Sequence, residues 1–385
     1  MTGRRPVAFR EFVLKVVGRC DLDCDYCYMF NAADQRWRRQ PAIIRPRVIE
    51  QIATAIGDHV RAHELDRILV LLHGGEPLLA GASRLTEIAA TIRDQVPGGT
   101  DVQVSMQTNG IRLDDATLTQ LGRAGIRVAV SLDGDETSHD RHRRHRDGAG
   151  SHATVSAALR VLTGQRHRNL FAGLLAVVDL ANDPAEVYRA LARFDPPAID
   201  FLLPLGNWSA PPPGRTPDDA SPYGEWLAAA FDAWHDSPAG RPEVRLFREL
   251  ITLLMGGHSR SEQIGLSPPA MIVFNTDGSI EQVDSLRSAY EGAVDTGLSV
   301  FTHDLDDALA HPAVTFRQQG FDALGAECRQ CPLVMVCGGG HYVHRYRDGS
   351  GFANPSVYCR DLAYLIRHVR TRVQQDVTAL RGTAR

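Results

Sequence analysis

Seven cysteines fall into two groups, and their spacing is the strongest chemical signal in the chain. Near the start stands Cys20-x3-Cys24-x2-Cys27, with Tyr26 directly before the third cysteine. Near the end stands Cys328-x2-Cys331-x5-Cys337, followed after 21 residues by Cys359. Three thiolates cannot complete a four-coordinate structural zinc site without a further ligand. They can hold three irons of a 4Fe–4S cluster and leave the fourth iron open. A zinc site completed by a distant His, or three plain buried thiols, are the competing readings. The second group has enough thiolates for zinc or for a closed cluster, and spacing alone favours zinc.

The elements that must position these thiols are legible from pattern. β-rich runs at 12–17, 68–72, 102–107, 128–132, 172–178 and 199–203 alternate with helical patterns at 46–63, 82–95, 113–124, 151–163, 183–194 and 222–235. Strand–helix alternation with short connections predicts parallel βαβ units. Six units are too many for one dinucleotide-binding half and too few for a closed eightfold barrel, so the fold class is α/β with an open, partial (β/α)6 barrel. Pro211-Pro212-Pro213-Gly214 reads as a rim loop, because a helical pattern resumes after it. A hairpin is expected from 272–275 and 280–283 around Asp277-Gly278. The division is 8–235 for the barrel, 236–324 for a bridging region with the hairpin, and 325–385 for a Cys- and Gly-rich segment with a final helix over 360–379. The C-terminal Arg-Gly-Thr-Ala-Arg is expected to fray.

Composition narrows the class. In 385 residues, 43% are hydrophobic and 23% charged, enough for a large core and against disorder or a disulfide-stapled miniprotein. The balance of 42 basic against 46 acidic residues gives no whole-chain reason to expect nucleic acid as a partner. Lys15 is the only lysine, a skew that fits coding bias better than site chemistry. The N-terminal Met-Thr-Gly-Arg-Arg-Pro is basic without an apolar run, and no stretch is long enough for a membrane span. An odd cysteine count without a secretory signal predicts a reducing, cytoplasmic setting with thiols free for metal.

With Cys20, Cys24 and Cys27 behind an aromatic residue, the first group resembles the signature of radical S-adenosylmethionine (SAM) enzymes. Further features follow in order at successive strand ends: Gly74-Gly75-Glu76-Pro77, Gln107-Thr108-Asn109-Gly110, Ser131-Leu132-Asp133-Gly134, then His139-Asp140-x2-Arg143 and Gly148-x-Gly150-Ser151. The C-terminal ends of strands are where barrel active sites are built. The resemblance implies that SAM chelates the open iron and that one electron, from a flavodoxin- or ferredoxin-type donor, cleaves it to a 5′-deoxyadenosyl radical. It implies SAM contacts from Tyr26, Gly74, Gly75, Glu76, Pro77, Asn109, Ser131 and Arg143. Glu76 would accept from the methionyl ammonium, Ser131 would meet the ribose or carboxylate, and Arg143 would pair the carboxylate. The ordinary alternative for Arg143 is a solvated basic run, since Arg141, Arg144 and Arg146 crowd beside it.

The second group is similar to the SPASM domain of radical SAM peptide maturases. That likeness implies an auxiliary 4Fe–4S cluster on Cys328, Cys331, Cys337 and Cys359. Full SPASM domains hold a second, inner cluster, but the position four after Cys337 is His341 and Gly278-x4 leads to Val283. The inner cluster is therefore expected to be absent, with a His341-ligated remnant as the lesser option. Gly338-Gly339-Gly340 is expected to bring backbone close to the remaining cluster. In related sulfatase maturases an Asp follows the lost Cys and acts as a base, which makes Asp284 the candidate base, placed on a hairpin facing the barrel mouth.

Four further segments resemble the FxsB-type maturases that form cyclophanes. These are the runs from Asp200 to Trp208, from Gln282 to Arg287, Gly338-Gly339-Gly340-His341-Tyr342 with His344-Arg345-Tyr346-Arg347, and Asn354-Pro355-Ser356-Val357-Tyr358-Cys359. The implied reaction is oxidation of a ribosomal precursor peptide. A β-carbon radical would add to an aromatic ring two residues away, and a proton and an electron would then leave. Asp284 and the auxiliary cluster are the available acceptors. The peptide is expected along an exposed strand of the hairpin or at the barrel rim. The rival activity is formylglycine formation on a sulfatase; the rival class is a zinc-bound scaffold that binds peptide without catalysis.

Overall fold

The computed structural model describes residues 6–215, 220–238 and 240–383. Six parallel strands form the core of one sheet: β1 Glu11–Val17, β2 Arg67–Gly74, β3 Asp101–Thr108, β4 Ile126–Ser131, β5 Phe171–Val177 and β6 Ala198–Leu202. The helices between them are α1 Pro46–Ala62, α2 Ala82–Gln95, α3 Asp115–Arg123, α4 Glu136–His142, α5 His152–Leu162 and α6 Pro184–Ala192. After β6 come α7 Pro222–His235, a two-residue strand β7 Glu243–Val244 and α8 Arg245–Leu254. Each expected strand and helix of this half is present, with ends shifted by a few residues at most.

Local chemistry explains these elements. β1 is buried on both faces after its first residue, as a central parallel strand must be, whereas β2 alternates. Helix α1 opens with Pro46 at its first position and turns Val48, Ile49, Ile52, Ile56 and Val60 inward. The Asp114, Asp135 and Asp183 side chains cap α3, α4 and α6 by accepting from the N–H groups of Thr117, Ser138 and Glu186. Helix α4 runs into the start of the basic run, and its polar sequence carries no apolar periodicity to announce it.

Beyond α8 the chain returns to the same sheet. Strand β8 Met271–Phe274 pairs parallel with β1, β9 Ser279–Glu281 pairs antiparallel with β8, and β10 Asp295–Ser299 pairs antiparallel with β9. The order is β10-β9-β8-β1-β2-β3-β4-β5-β6-β7, open between β10 and β7, which is the expected partial barrel with an added edge. The hairpin is thus continuous with the barrel sheet. Both of its strands are paired on both sides, which corrects the expectation that a peptide adds to an exposed hairpin strand. Strand β10 takes that place; its Asp-Thr-Gly-Leu-Ser sequence is too short and turn-like to read as a strand.

Five helices complete the chain: α9 Leu305–Ala310, α10 Pro312–Gln318, α11 Ala326–Arg329, α12 Val334–Cys337 and α13 Cys359–Thr383. Helix α13 packs against α7 and α8, with His368 and Arg372 both bonded to Asp232 at 2.9 Å. It remains helical to Thr383 where fraying was expected; Ala384 and Arg385, like residues 1–5, lie outside the described residues. Among the described residues no helix is long and apolar enough to cross a membrane.

Candidate active site

The ends of β1 to β6 converge on a cavity of about 310 Å³. Cys20, Cys24, Cys27, Tyr26, Gly74, Gly75, Asn109, Ser131 and Arg143 all line it, so most of the residues singled out from sequence meet in one place. Glu76 and Pro77 do not. Glu76 is fully buried, and its carboxylate accepts from the Leu78 N–H at 2.9 Å, the Thr108 hydroxyl at 2.8 Å and the Asn109 N–H at 2.8 Å. With these three bonds it fastens the β2 loop to the β3 loop. Burial holds its pKa up, to about 7. Gly75 must be glycine, because a Cβ there would stand 2.0 Å from the Arg19 carbonyl oxygen.

The cysteine loop after β1 is held by short-range bonds, with the Cys27 N–H donating to the Cys24 carbonyl at 3.0 Å and the Asn31 N–H to the Cys27 carbonyl at 2.8 Å. Burial, with a neighbouring thiol adding to it, pushes the Cys20 thiol up to about 12 and Cys24 to about 11. Asn109 bonds Asp21 at 2.8 Å and reaches the Cys20 sulfur at 3.7 Å. Opposite, Arg143 is buried and donates to the Tyr26 hydroxyl at 2.8 Å; that hydroxyl in turn donates to Asp133. The Arg143 Nε is buried without a partner. Arg141 pairs with Asp179, and Arg144 and Arg146 reach backbone carbonyls, so Arg143 alone of the basic run is directed into the cavity. Asp133 and His139 belong to this framework and stand in motifs already noted, but their type alone gave them no role. The His139 ring bonds Ser151 Oγ at 2.9 Å, and Ser151 Oγ donates to the Arg143 carbonyl at 2.6 Å.

The residues present fit an open cluster with SAM. Three thiols line the cavity together, beside an arginine with a spare donor. A single zinc ion would need its sulfurs about 3.8 Å apart, from Zn–S bonds of about 2.3 Å. Among the described residues no three cysteine sulfurs all come within 4.8 Å of one another. A cubane spreads its thiolates wider, so the geometry favours iron–sulfur over zinc. In the second group Cys328, Cys331, Cys337 and Cys359 lie within electrostatic reach of one another, each shifted upward by burial or by its neighbours' charge where a shift is resolved. They too fit a four-thiolate cluster.

Asp284 is not on a hairpin strand but opens the 3-10 turn Asp284–Ser288 after β9. Its Oδ1 stands 2.5 Å from Lys15 Nζ and 3.1 Å from Arg287 Nε. Lys15 also pairs with Glu281 at 2.5 Å, and Arg287 with Glu281 at 2.7 Å and Asp34 at 3.4 Å. Against the desolvation of burial, these cations hold the Asp284 pKa down to about 2. The lone lysine, attributed above to coding bias, is 2% exposed at the centre of this network. His73, at the end of β2, lines the cavity, feels both Asp284 and Lys15, and has an Nδ1 without a partner. Burial lowers its pKa, so the ring is neutral. His341 and His344 line the same cavity with ring centroids 5.1 Å apart. Val283 packs among Leu286, Val343 and Tyr342 in an apolar cluster.

A family model described as the radical SAM superfamily matches residues 14–177. The chain is 27% identical over 360 residues to a serine-type anaerobic sulfatase-maturating enzyme of Klebsiella aerogenes, covering 90% of this chain and 83% of that protein. It is 24% identical over 278 residues to a cysteine-type counterpart from Clostridium perfringens, covering 69% and 71%. Native anSMEcpe with bound AdoMet and Kp18Cys peptide has the same fold, with a TM-score of 0.81 at 20% identity over 96% of this chain and 99% of that one. Streptococcus suis SuiB bound to precursor peptide SuiA matches with a TM-score of 0.61 at 14% identity, over 92% and 76%. These relations overturn the reading of a non-catalytic zinc scaffold. The protein is thus an enzyme whose residues 14–177 match the radical SAM superfamily and whose homologues include anaerobic sulfatase-maturating enzymes.

Proposed function

We propose that this enzyme modifies peptides and that its reaction is an oxidative cross-link, the FxsB-type three-residue cyclophane, on a ribosomally made precursor. The observation that carries the reading is the cavity's apolar lining. Leu175, Val177, Leu202, Leu203, Leu205 and Leu246 line it together with the thiols and Arg143. Such a lining suits an aromatic side chain beside the reacting β-carbon, whereas a lone serine or cysteine side chain would leave it uncovered. The sulfatase-maturating relatives favour formylglycine formation as the second reading.

Bound at the three thiolates, the cluster and SAM supply the radical that takes hydrogen from the substrate. The chain supplies the rest. Arg143 offers its spare Nε to the SAM carboxylate, Gly74 and Gly75 admit close backbone approach, and Asn109 and Ser131 stand at the adjoining rim. The proton leaving the aromatic ring needs an acceptor. Asp284 is a poor one while Lys15 and Arg287 hold it, so we assign that step to His73 through Nδ1, with Asp284 as the positioning counter-charge for the imidazolium. Cys328, Cys331, Cys337 and Cys359 would hold an auxiliary cluster, which would supply the acceptor for the departing electron. One such cluster fits the chain, because Val283 lies in apolar packing and His341 faces the cavity.

Co-expression with candidate precursor peptides, taken from any short open reading frame found next to the gene, followed by tandem mass spectrometry, tests this. The expected product lacks two hydrogens, gives no backbone fragments inside one three-residue span and does not react with a hydrazide. A hydrazide-reactive aldehyde would replace the cross-link with the formylglycine reading.

A further inference from the structure

The segment after Cys337 contains a buried charge that the site above does not use. Gly338, Gly339 and Gly340 have φ of 61°, 79° and 67°, three successive left-handed residues. A Cβ on Gly338 would stand 1.7 Å from the Gly265 carbonyl oxygen, so the curl depends on glycine. It turns all three carbonyls onto one group, the Arg345 guanidinium. Arg345 Nη2 donates to the Gly338 carbonyl at 2.7 Å and the Gly340 carbonyl at 2.9 Å, and Nε donates to the Gly339 carbonyl at 3.1 Å.

Arg345 is 8% exposed, and among the described residues no carboxylate pairs with it. Glu262, which lines the same cleft, is taken by Arg317 at 2.7 Å. The Tyr342 ring centroid lies 5.7 Å from this guanidinium and 5.7 Å from that of Arg317. Three carbonyl dipoles satisfy donors but do not neutralise a buried unit charge, which is costly without a full anion nearby. The groups that can provide one are Cys328 and Cys337, both within electrostatic reach of Arg345. The contact is also covalently close, since Gly338 follows Cys337 and the Gly340 N–H donates to the Cys337 carbonyl at 2.9 Å.

We propose that Arg345, held by the three-glycine curl, is the fixed counter-charge of the C-terminal iron–sulfur cluster and raises its reduction potential. The inference rests on the auxiliary-cluster reading of Cys328, Cys331, Cys337 and Cys359. A four-thiolate cluster is anionic and gains one more negative charge on reduction. A cation fixed beside it in a low-dielectric interior stabilises the reduced state more than the oxidised one. That suits a cluster that must take an electron from a substrate radical.

The test isolates this cluster in a chain carrying Cys20→Ala, Cys24→Ala and Cys27→Ala, reconstituted with iron and sulfide and titrated electrochemically with EPR detection. Arg345→Gln keeps amide donors for the glycine carbonyls and removes the charge. Arg345→Lys keeps the charge and loses the fork. The expected result is about four irons per chain in each, with Arg345→Gln at least tenfold lower in reduced-to-oxidised ratio at a fixed potential, a shift of about 59 mV for one electron. Arg345→Lys should stay within a few-fold of the parent. Equal potentials in parent and Arg345→Gln overturn the inference alone. A shift in Arg345→Lys but not in Arg345→Gln overturns it too, because the guanidinium would then only brace the curl. A parent that binds zinc and no iron overturns the cluster reading itself, and the inference with it.

Discussion

At the residue scale, the Lys15–Glu281–Arg287–Asp284–Asp34 network ties β1, the loop after the first cysteines and the turn after β9 into one wall. Removing one member of a buried pair leaves its partner uncompensated. Asp284→Asn should therefore lower unfolding stability by about 3–5 kcal/mol in urea titrations; an unchanged stability would return Asp284 to a free catalytic base. Cys24→Ala should abolish formation of 5′-deoxyadenosine from SAM, and cleavage that survives would show that the first motif is misassigned. The cysteines were legible from their spacing, and Arg143 and Asn109 from the motifs that carry the family resemblance. Lys15 and His73 were not, since a lysine and a histidine gain meaning only from what burial places beside them. Glu76 was visible as a residue but not as a brace, because its three donors come from two loops that only the fold brings together.

At the element scale, the six barrel strands were legible because burial forces their pattern, and β10 was not, because an edge strand needs no such pattern. Helix α1 illustrates a further limit. His59 and His63 on it, with Asp306 on α9, bring ligand atoms within 4.8 Å. Yet the Phe9 N–H donates to His59 Nε2 at 3.1 Å, so the neutral ring carries its proton on Nδ1, the atom a metal would need. Burial, with His63 adding to it, lowers the His59 pKa to about 4. The unfolded chain takes that proton near 6.5, so the stabilising contribution is complete above that pH and is lost as pH falls towards 4. Between pH 7 and pH 5 the His59 share amounts to about 2 kcal/mol. His59→Gln, whose side-chain oxygen can still accept from Phe9, should lose about that much less stability over the same interval. Equal pH slopes in the two proteins would show that the ring is not held neutral.

At the scale of the whole molecule, a sheet open between β10 and β7 carries SAM chemistry at its strand ends and a second thiol group beyond it. Anaerobically reconstituted protein should contain about eight irons per chain, from two 4Fe–4S clusters. About twelve would show that an inner cluster persists despite His341 and Val283. The strand–helix alternation disclosed the barrel, while the mutual approach of hairpin, glycine curl and barrel mouth depended on contacts between residues far apart in the chain. The choice between cross-link and aldehyde turns on one atom, a hydrogen on the substrate's aromatic ring. A precursor peptide with fully ring-deuterated aromatic residues, turned over with SAM and a reductant, reports on it by mass. The cyclophane account predicts a product that has lost one ring deuterium and one aliphatic hydrogen. A product that has lost two hydrogens and kept every ring deuterium would contradict it.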